Sequence, residues 1–148
     1  MTVLKCVLLA GLSIVAVAET ALAEKTCYKV DSMRYQNNGA YNVEKFYVMY
    51  KDENGKKKST VGLENKVYPS QTGLVHIDVE IDLPNGTEVW GKIKIESGEN
   101  EGCRKDGTKF YYYTKGGTVG YKSEGTTYNN NRCQLSSRPS DDYLIDCP

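Results

Sequence analysis

The chain of 148 residues contains a single histidine, His76, and this scarcity limits the chemistry it can support. A serine or cysteine nucleophile needs an adjacent base, and the sequence carries no G-x-S-x-G or comparable motif. It also lacks a Cys-x-x-Cys pair and a D-x-D-x-D-G loop, so no metal site is indicated. We therefore expect no metal and no other cofactor, and a non-enzymatic role is favoured.

Long apolar runs are missing after residue 23. The one apolar run, Cys6 to Ala18, is too short to span a bilayer stably, which takes about 20 residues. Lys5 precedes this run and Ala21-Leu22-Ala23 follows it, which is the pattern of a cleaved secretory signal. We predict a signal peptide over 1–23, a single secreted domain over 24–148, and no membrane insertion.

The chain has no excess of charge of either sign. It carries 19 basic and 19 acidic side chains, so its formal net charge is zero. A balanced chain offers no general attraction to nucleic acid or to an anionic membrane surface. We therefore expect no nucleic-acid partner, and the domain is expected to be a monomer.

Four cysteines remain once the predicted signal is removed, and an even number in a secreted chain indicates disulfides. Four cysteines allow three pairings, which the sequence alone does not distinguish. We favour Cys27–Cys147, which would tie the two ends together, and Cys103–Cys133, which would close a loop of about 30 residues.

Short alternating runs broken by Asn-Gly and Gly-Gly pairs, together with 12 tyrosines, are typical of antiparallel β-structure. We predict a first strand over 27–35, a last short strand over 142–147 and an irregular loop over 126–142. A hairpin about Asn54-Gly55 would pair Phe46 with Leu63 and Val48 with Val61, and another hairpin would turn at Gly116-Gly117. The expected fold is all-β: a small antiparallel β-sandwich or partly closed barrel of about seven or eight strands.

The stretch VHIDVEIDLPNGTEVWGKIKIE, residues 75–96, predicts a further hairpin with a three-residue loop at Pro84-Asn85-Gly86. Its register would place Asp78 opposite Lys92 and His76 opposite Lys94 on a solvated face. Such pairs contribute only about 0.2–1 kcal/mol each, so the acidic row is interpreted as a surface and not as an active site. Asn85-Gly86-Thr87 is also an N-glycosylation sequon at this turn.

The aromatic side chains predicted to lie outside the core are the best candidates for a binding site, because they offer large rigid area and a polar tip. The predicted ligand-binding residues are Trp90, Tyr111 and Tyr113, with His76 and Glu80 at the rim. These residues favour a secreted recognition module for an extracellular protein or glycan. Two alternatives stay open. One is an inhibitor that inserts the 98–108 or 123–138 loop into a secreted enzyme, and the other is a small hydrolase that uses Asp78, Glu80 or Asp82.

Overall fold

The computed structural model describes residues 25–104 and 106–148. The predicted signal peptide over 1–23 lies outside these residues. Within them, no helix is long and apolar enough to cross a membrane.

The described chain is built almost entirely of strands, as the alternating sequence pattern predicts. One helical turn, α1 (Ile77–Glu80), and one 3₁₀ turn, Asp141–Tyr143, interrupt them. The strands are β1 (Cys27–Asn37), β2 (Val43–Lys51), β3 (Lys57–Leu63), β4 (Thr72–His76), β5 (Thr87–Ile95), β6 (Asn100–Arg104), β7 (Lys109–Tyr112), β8 (Gly117–Glu124), β9 (Arg132–Ser137) and β10 (Leu144–Ile145).

Strand β1 is the centre of the sheet, because it pairs with four other strands. Its first residues pair with β10 and, in parallel, with β7, while its second half is flanked by antiparallel β4 and parallel β8. The pairings β1–β8–β9–β6–β5–β7–β1 form a closed ring, and β2 and β3 extend the sheet from β5. The fold is thus a mixed β-barrel with extra strands, as expected for a partly closed barrel, although it contains parallel pairs that were not predicted.

The outermost strands, β3 and β4, come together by side-chain packing. A Cβ atom added to Gly62 of β3 would lie 2.9 Å from the Val75 side chain of β4. A Cβ atom on Gly73 of β4 would lie 2.3 Å from the Leu63 side chain of β3. The two glycines therefore leave room for the Val75 and Leu63 side chains, which would have to shift if either glycine carried a Cβ atom.

Four aromatic rings fill the interior between the strands. Tyr35 stacks on Phe46 with ring centroids 5.1 Å apart, and Tyr121 lies 6.2 Å from Phe46 and 6.4 Å from Phe110. All four side chains are almost completely buried. Rings of this size supply most of the apolar burial that a small domain needs.

A buried asparagine, Asn37, holds the end of β1 in place. Its side-chain amide donates to the carbonyl oxygens of Tyr41 and Val67 at 2.7 and 2.9 Å. Its carbonyl oxygen accepts hydrogen bonds from the Gly39 backbone at 3.0 Å and from the Ser123 hydroxyl at 3.1 Å. Since Asn37 is fully buried, these four bonds satisfy every polar position of its side chain.

Both favoured disulfides are confirmed. Cys27 is bonded to Cys147 and ties the first strand to the C-terminal segment, while Cys103 is bonded to Cys133. The second pair lies directly opposite in the parallel strands β6 and β9. This disulfide therefore joins two neighbouring strands of the ring.

The predicted hairpin over 75–96 is wrong. Strand β4 ends at His76, where its pairing with β1 ends at Ser32, and the chain then makes one helical turn in which the Ile81 amide donates to the Ile77 carbonyl. Strand β5 has no edge left for this segment, because β2 occupies one edge and β6 and β7 share the other. Val79, an apolar residue of this helical turn, is consequently 80% exposed.

The hairpin predicted at Gly116-Gly117 is also wrong, because β7 and β8 both pair with β1 and not with each other. Gly116 is needed for a different reason. A Cβ atom there would lie 2.3 Å from the Val30 carbonyl carbon, so this glycine lets the chain cross close to β1. The segment 126–142, predicted as loop, contains β9. The predicted last strand is reduced to β10 after the 3₁₀ turn.

The hairpin between β2 and β3 is confirmed, but its register is only partly as predicted. Phe46 pairs with Leu63, whereas a bulge after Phe46 pairs Val48 with Thr60 instead of Val61. The loop has three residues that end at Gly55, whose φ of 73° is the left-handed conformation that such loops require. A two-residue turn would have kept the predicted register.

Replacing Asn37 by alanine is expected to lower the free energy of unfolding by about 3–5 kcal/mol. The buried Gly39 amide and Tyr41 carbonyl would lose their Asn37 hydrogen bonds, and the Val67 carbonyl would keep only its bond from the Val43 amide. Urea unfolding measures this change. Asn38→Ala, at the adjacent exposed position, is the matched control and should alter stability by less than about 0.5 kcal/mol. Equal stabilities of the two variants would show that the Asn37 network is not a structural constraint.

Tyr121→Phe is expected to leave the free energy of unfolding unchanged or raise it by up to about 1 kcal/mol. The Tyr121 hydroxyl is buried beside the Gly91 backbone, and within the described part of the chain it makes no hydrogen bond of normal geometry. Tyr35→Phe removes a 2.6 Å hydrogen bond to Ser123 and should lower stability by about 1 kcal/mol.

The dependence of the free energy of unfolding on pH above 10 provides a second measurement of Tyr121→Phe. Burial raises the pKa of the Tyr121 hydroxyl well above its usual value of 10.0, so the folded state keeps a proton that the unfolded state loses above pH 10. Stability therefore falls by about 1.4 kcal/mol per pH unit for each such tyrosine. Tyr121→Phe should make this slope shallower, and the exposed Tyr128→Phe is the control. An unchanged slope would contradict the burial argument.

Candidate functional site

The outward face of β5 carries the residue that the sequence singled out, Trp90. Along this strand Val89, Gly91 and Ile93 are buried, so Trp90 and Lys92 project from the opposite face. The alternation follows from the pleat of a strand, in which successive side chains point to opposite sides. The prediction that Trp90 lies outside the core is consistent with its half-buried state.

The neighbouring strand β2 adds two side chains to this surface. Met49 pairs with Trp90, and Tyr47 pairs with Lys92, and both are half-buried on the outward face of β2. We call the surface formed by Tyr47, Met49, Trp90 and Lys92 the Trp90 face. Tyr47 and Met49 were not predicted as site residues, although their alternation with Phe46 and Val48 in the sequence already placed them on the outward side.

Lys92 is the cation at the centre of the Trp90 face. Its ammonium group lies over the ring of Tyr47, 6.0 Å from the ring centroid. The neighbouring lysines are neutralised differently: Lys94 pairs with Glu44 at 3.0 Å and Lys45 pairs with Glu64 at 3.1 Å. Among the described residues, no carboxylate forms an ion pair with Lys92.

A glycine leaves open space on the other side of Lys92. Gly102 of β6 pairs with Lys92 across the strands, and a Cβ atom built on it would meet nothing within 4 Å. Tyr47, Lys92 and Gly102 therefore form one row across three strands. The row has an aromatic ring at one end and open space beside a glycine at the other.

Tyr111 lies next to the Trp90 face. The prediction that it lies outside the core is wrong, because its side chain is buried. It lies opposite Glu88, two residues before Trp90, and only 6% of its surface is accessible. Burial, then the Glu88 carboxylate, raise the pKa of the Tyr111 hydroxyl, while the Lys51 ammonium lowers it. Lys51, which is partly exposed, bonds Glu88 at 2.5 Å, so Tyr111 lies beside an ion pair at the surface.

An open cleft of about 680 Å³ adjoins this ion pair at the end of the sheet. Its walls are the hairpin tip, 52–55, and the loop 82–86, and Glu88 and Tyr111 also line it. Tyr113, half-buried, lies beside the loop wall, with its hydroxyl 3.5 Å from the position of a Cβ atom on Gly86. Tyr113 therefore supports the loop, and Asn85 of the predicted sequon is exposed there while its side-chain oxygen accepts a bond from the Thr114 amide.

His76 and Glu80, predicted at the rim, belong to a different part of the barrel. They lie at the end of β4 and on α1, and β4 pairs with the edge of β1 opposite to β8. The His76 Nδ1 atom is 3.4 Å from the Ser32 hydroxyl, but that hydroxyl donates to Asp31 at 2.7 Å. Because Ser32 is buried and its proton is already engaged, this arrangement does not resemble an activated nucleophile.

The acidic row that was considered for a hydrolase is exposed, as predicted. Asp78, Glu80 and Asp82 all face solvent. The predicted pairings of Asp78 with Lys92 and of His76 with Lys94 are wrong, since β2 and β6 flank those lysines. Asp82 borders the 680 Å³ cleft, whereas Glu80 borders a separate cleft of about 410 Å³ between β3 and β4.

Comparisons with known proteins give no assignment. No protein-family model matches the chain, and no curated protein matches its sequence. Among solved structures, pneumolysin has a TM-score of 0.39 and 10% identity over 72% of this chain, which spans 23% of the toxin. Listeriolysin O gives a TM-score of 0.38 and 12% identity, over 72% of this chain and 22% of that one. A protein from Eubacterium rectale gives a TM-score of 0.39 and 15% identity, over 83% of this chain and 95% of that one. These similarities are too weak to identify a family.

Trp90 is the only tryptophan of the chain, so its fluorescence reports on this surface directly. Met49→Ala should increase quenching of Trp90 by acrylamide, because Met49 is its cross-strand neighbour and shields one side of the ring. Leu74→Ala, at an exposed leucine of β4, is the control and should leave quenching unchanged. Equal quenching in all three proteins would contradict the contact between Met49 and Trp90.

Proposed function

We propose that this chain is a secreted, non-enzymatic recognition module that binds an extracellular partner through the Trp90 face. The observation that carries the proposal is the grouping of Trp90, Tyr47 and Met49, all half-buried, on the outward side of two paired strands. Aromatic and methionine side chains are enriched in binding surfaces because they provide contact area that is easily desolvated.

The rigidity of strand β5, which carries Trp90, favours binding. Strand β5 is held on both edges, by β2 on one side and by β6 and β7 on the other. A surface built on such a strand loses little conformational entropy when a ligand binds. The disulfide Cys103–Cys133 further ties β6 to β9 within the same ring.

The compartment is part of the proposal. Two disulfides are consistent with an oxidising environment, where cystine persists, and the predicted signal over 1–23 would direct the chain there. An extracellular partner fits that location. The partner is taken to be a glycan or a protein, the two classes for which exposed aromatic surfaces are suited.

A pull-down from extracellular material with the oxidised chain, read by mass spectrometry and run beside a glycan array, tests the proposal. Trp90→Ala should weaken binding to the captured partner at least about tenfold, which corresponds to roughly 1.4 kcal/mol. Tyr47→Ala should weaken it as well, and the exposed Leu74→Ala should have no effect. Undiminished binding by Trp90→Ala would place the site elsewhere, for example in the 680 Å³ cleft, which Tyr113→Ala would then disturb.

A further inference from the structure

We infer that the Trp90 face binds a carboxylated sugar residue, such as a uronate or a sialate, within an extracellular glycan. This inference rests on the proposed function and specifies its ligand. It assigns the sugar ring to Trp90 and the carboxylate to the Lys92 ammonium group.

The first argument is charge. Lys94 and Lys45 are paired with Glu44 and Glu64, whereas Lys92 has no carboxylate partner in the described part of the chain. Its ammonium group lies over an aromatic ring, which attracts a cation but does not neutralise it. A ligand carboxylate would therefore complete a charge-assisted hydrogen bond that the protein leaves unmade.

The second argument is distance and space. Trp90 and Lys92 are two residues apart on one face of a strand, so their side chains leave the backbone about 7 Å apart. This separation suits one sugar ring with its carboxylate. The open space over Gly102, directly opposite Lys92, provides the room in which the carboxylate can approach.

The third argument is the size of the apolar surface, which favours a glycan over an acidic protein. Its members are Tyr47, Met49 and Trp90, and the lysines of the ion pairs Lys94–Glu44 and Lys45–Glu64 lie on the same two strands. A stable protein interface buries about 800 Å² on each partner around a desolvated centre. Three half-buried side chains bordered by charges offer a smaller apolar area, which suits a single sugar ring.

The probes for the test are uronate- and sialate-bearing oligosaccharides, neutral oligosaccharides of equal length, and poly-glutamate as an acidic polypeptide. Trp90 fluorescence and calorimetry report binding to the chain with both disulfides intact. We expect binding of a carboxylated oligosaccharide that weakens as salt is raised. Lys92→Met should weaken it at least tenfold and Lys92→Arg should retain it, while the matched control Lys94→Met should bind as the parent chain does.

Gly102→Val is a steric test that does not alter charge. The added side chain enters open space and suits a strand, so the variant should fold. It should occupy the space beside Lys92 and abolish binding of the carboxylated probe. Unaltered binding by Gly102→Val or by Lys92→Met would overturn the inference.

The outcomes separate this inference from the proposed function. Binding of neutral oligosaccharides that depends on Trp90 but not on Lys92 would overturn the carboxylate assignment and leave the recognition module in place. Preferred binding of poly-glutamate would overturn the assignment of a glycan ligand and would indicate an acidic protein. A partner captured in the pull-down whose binding is unaffected by Trp90→Ala would overturn both.

Discussion

The hydrogen bonds of Asn37 are the constraint on which the rest of the barrel depends. They join the end of the central strand to the 39–41 turn, to Val67 and, through Ser123, to β8. Ser123 in turn bonds the Tyr35 hydroxyl, so the network continues into the aromatic core. A buried polar group with all its partners present specifies one arrangement of the segments around it, because any other arrangement leaves buried groups unpaired.

The position of β1 explains how distant parts of the chain reach the candidate site. Strand β7 pairs with β1 and also with β5, so it sets the spacing between the central strand and the strand that carries Trp90. On the other route around the ring, β8, β9 and β6 connect the same two strands, with a disulfide between β6 and β9. Trp90 is therefore supported from two directions, although it lies near the surface.

The functional interpretation depends on contrast between neighbouring lysines. On one strand, Lys94 is neutralised by Glu44 while Lys92 stands over Tyr47 beside the open space at Gly102. The paired lysine belongs to the ordinary solvated surface, where an ion pair contributes little. Lys92 combines a charge, an aromatic ring and open space beside it, and the proposed carboxylate site is based on this combination.

The alternation of apolar and polar residues was sufficient to predict an all-β chain, the first strand and the outward direction of Trp90, because the pleat alone decides which face a side chain takes. The favoured cysteine pairs also proved correct. Alternation carries no information about edges, however, and so the partners of 75–83 and 109–124 were mispredicted as local hairpins. Each strand has only two edges, and β5 and β1 filled theirs with strands distant in sequence. That competition, decided only when the barrel closes, also buried Tyr111 and placed Tyr47, Lys92 and Gly102 in one row.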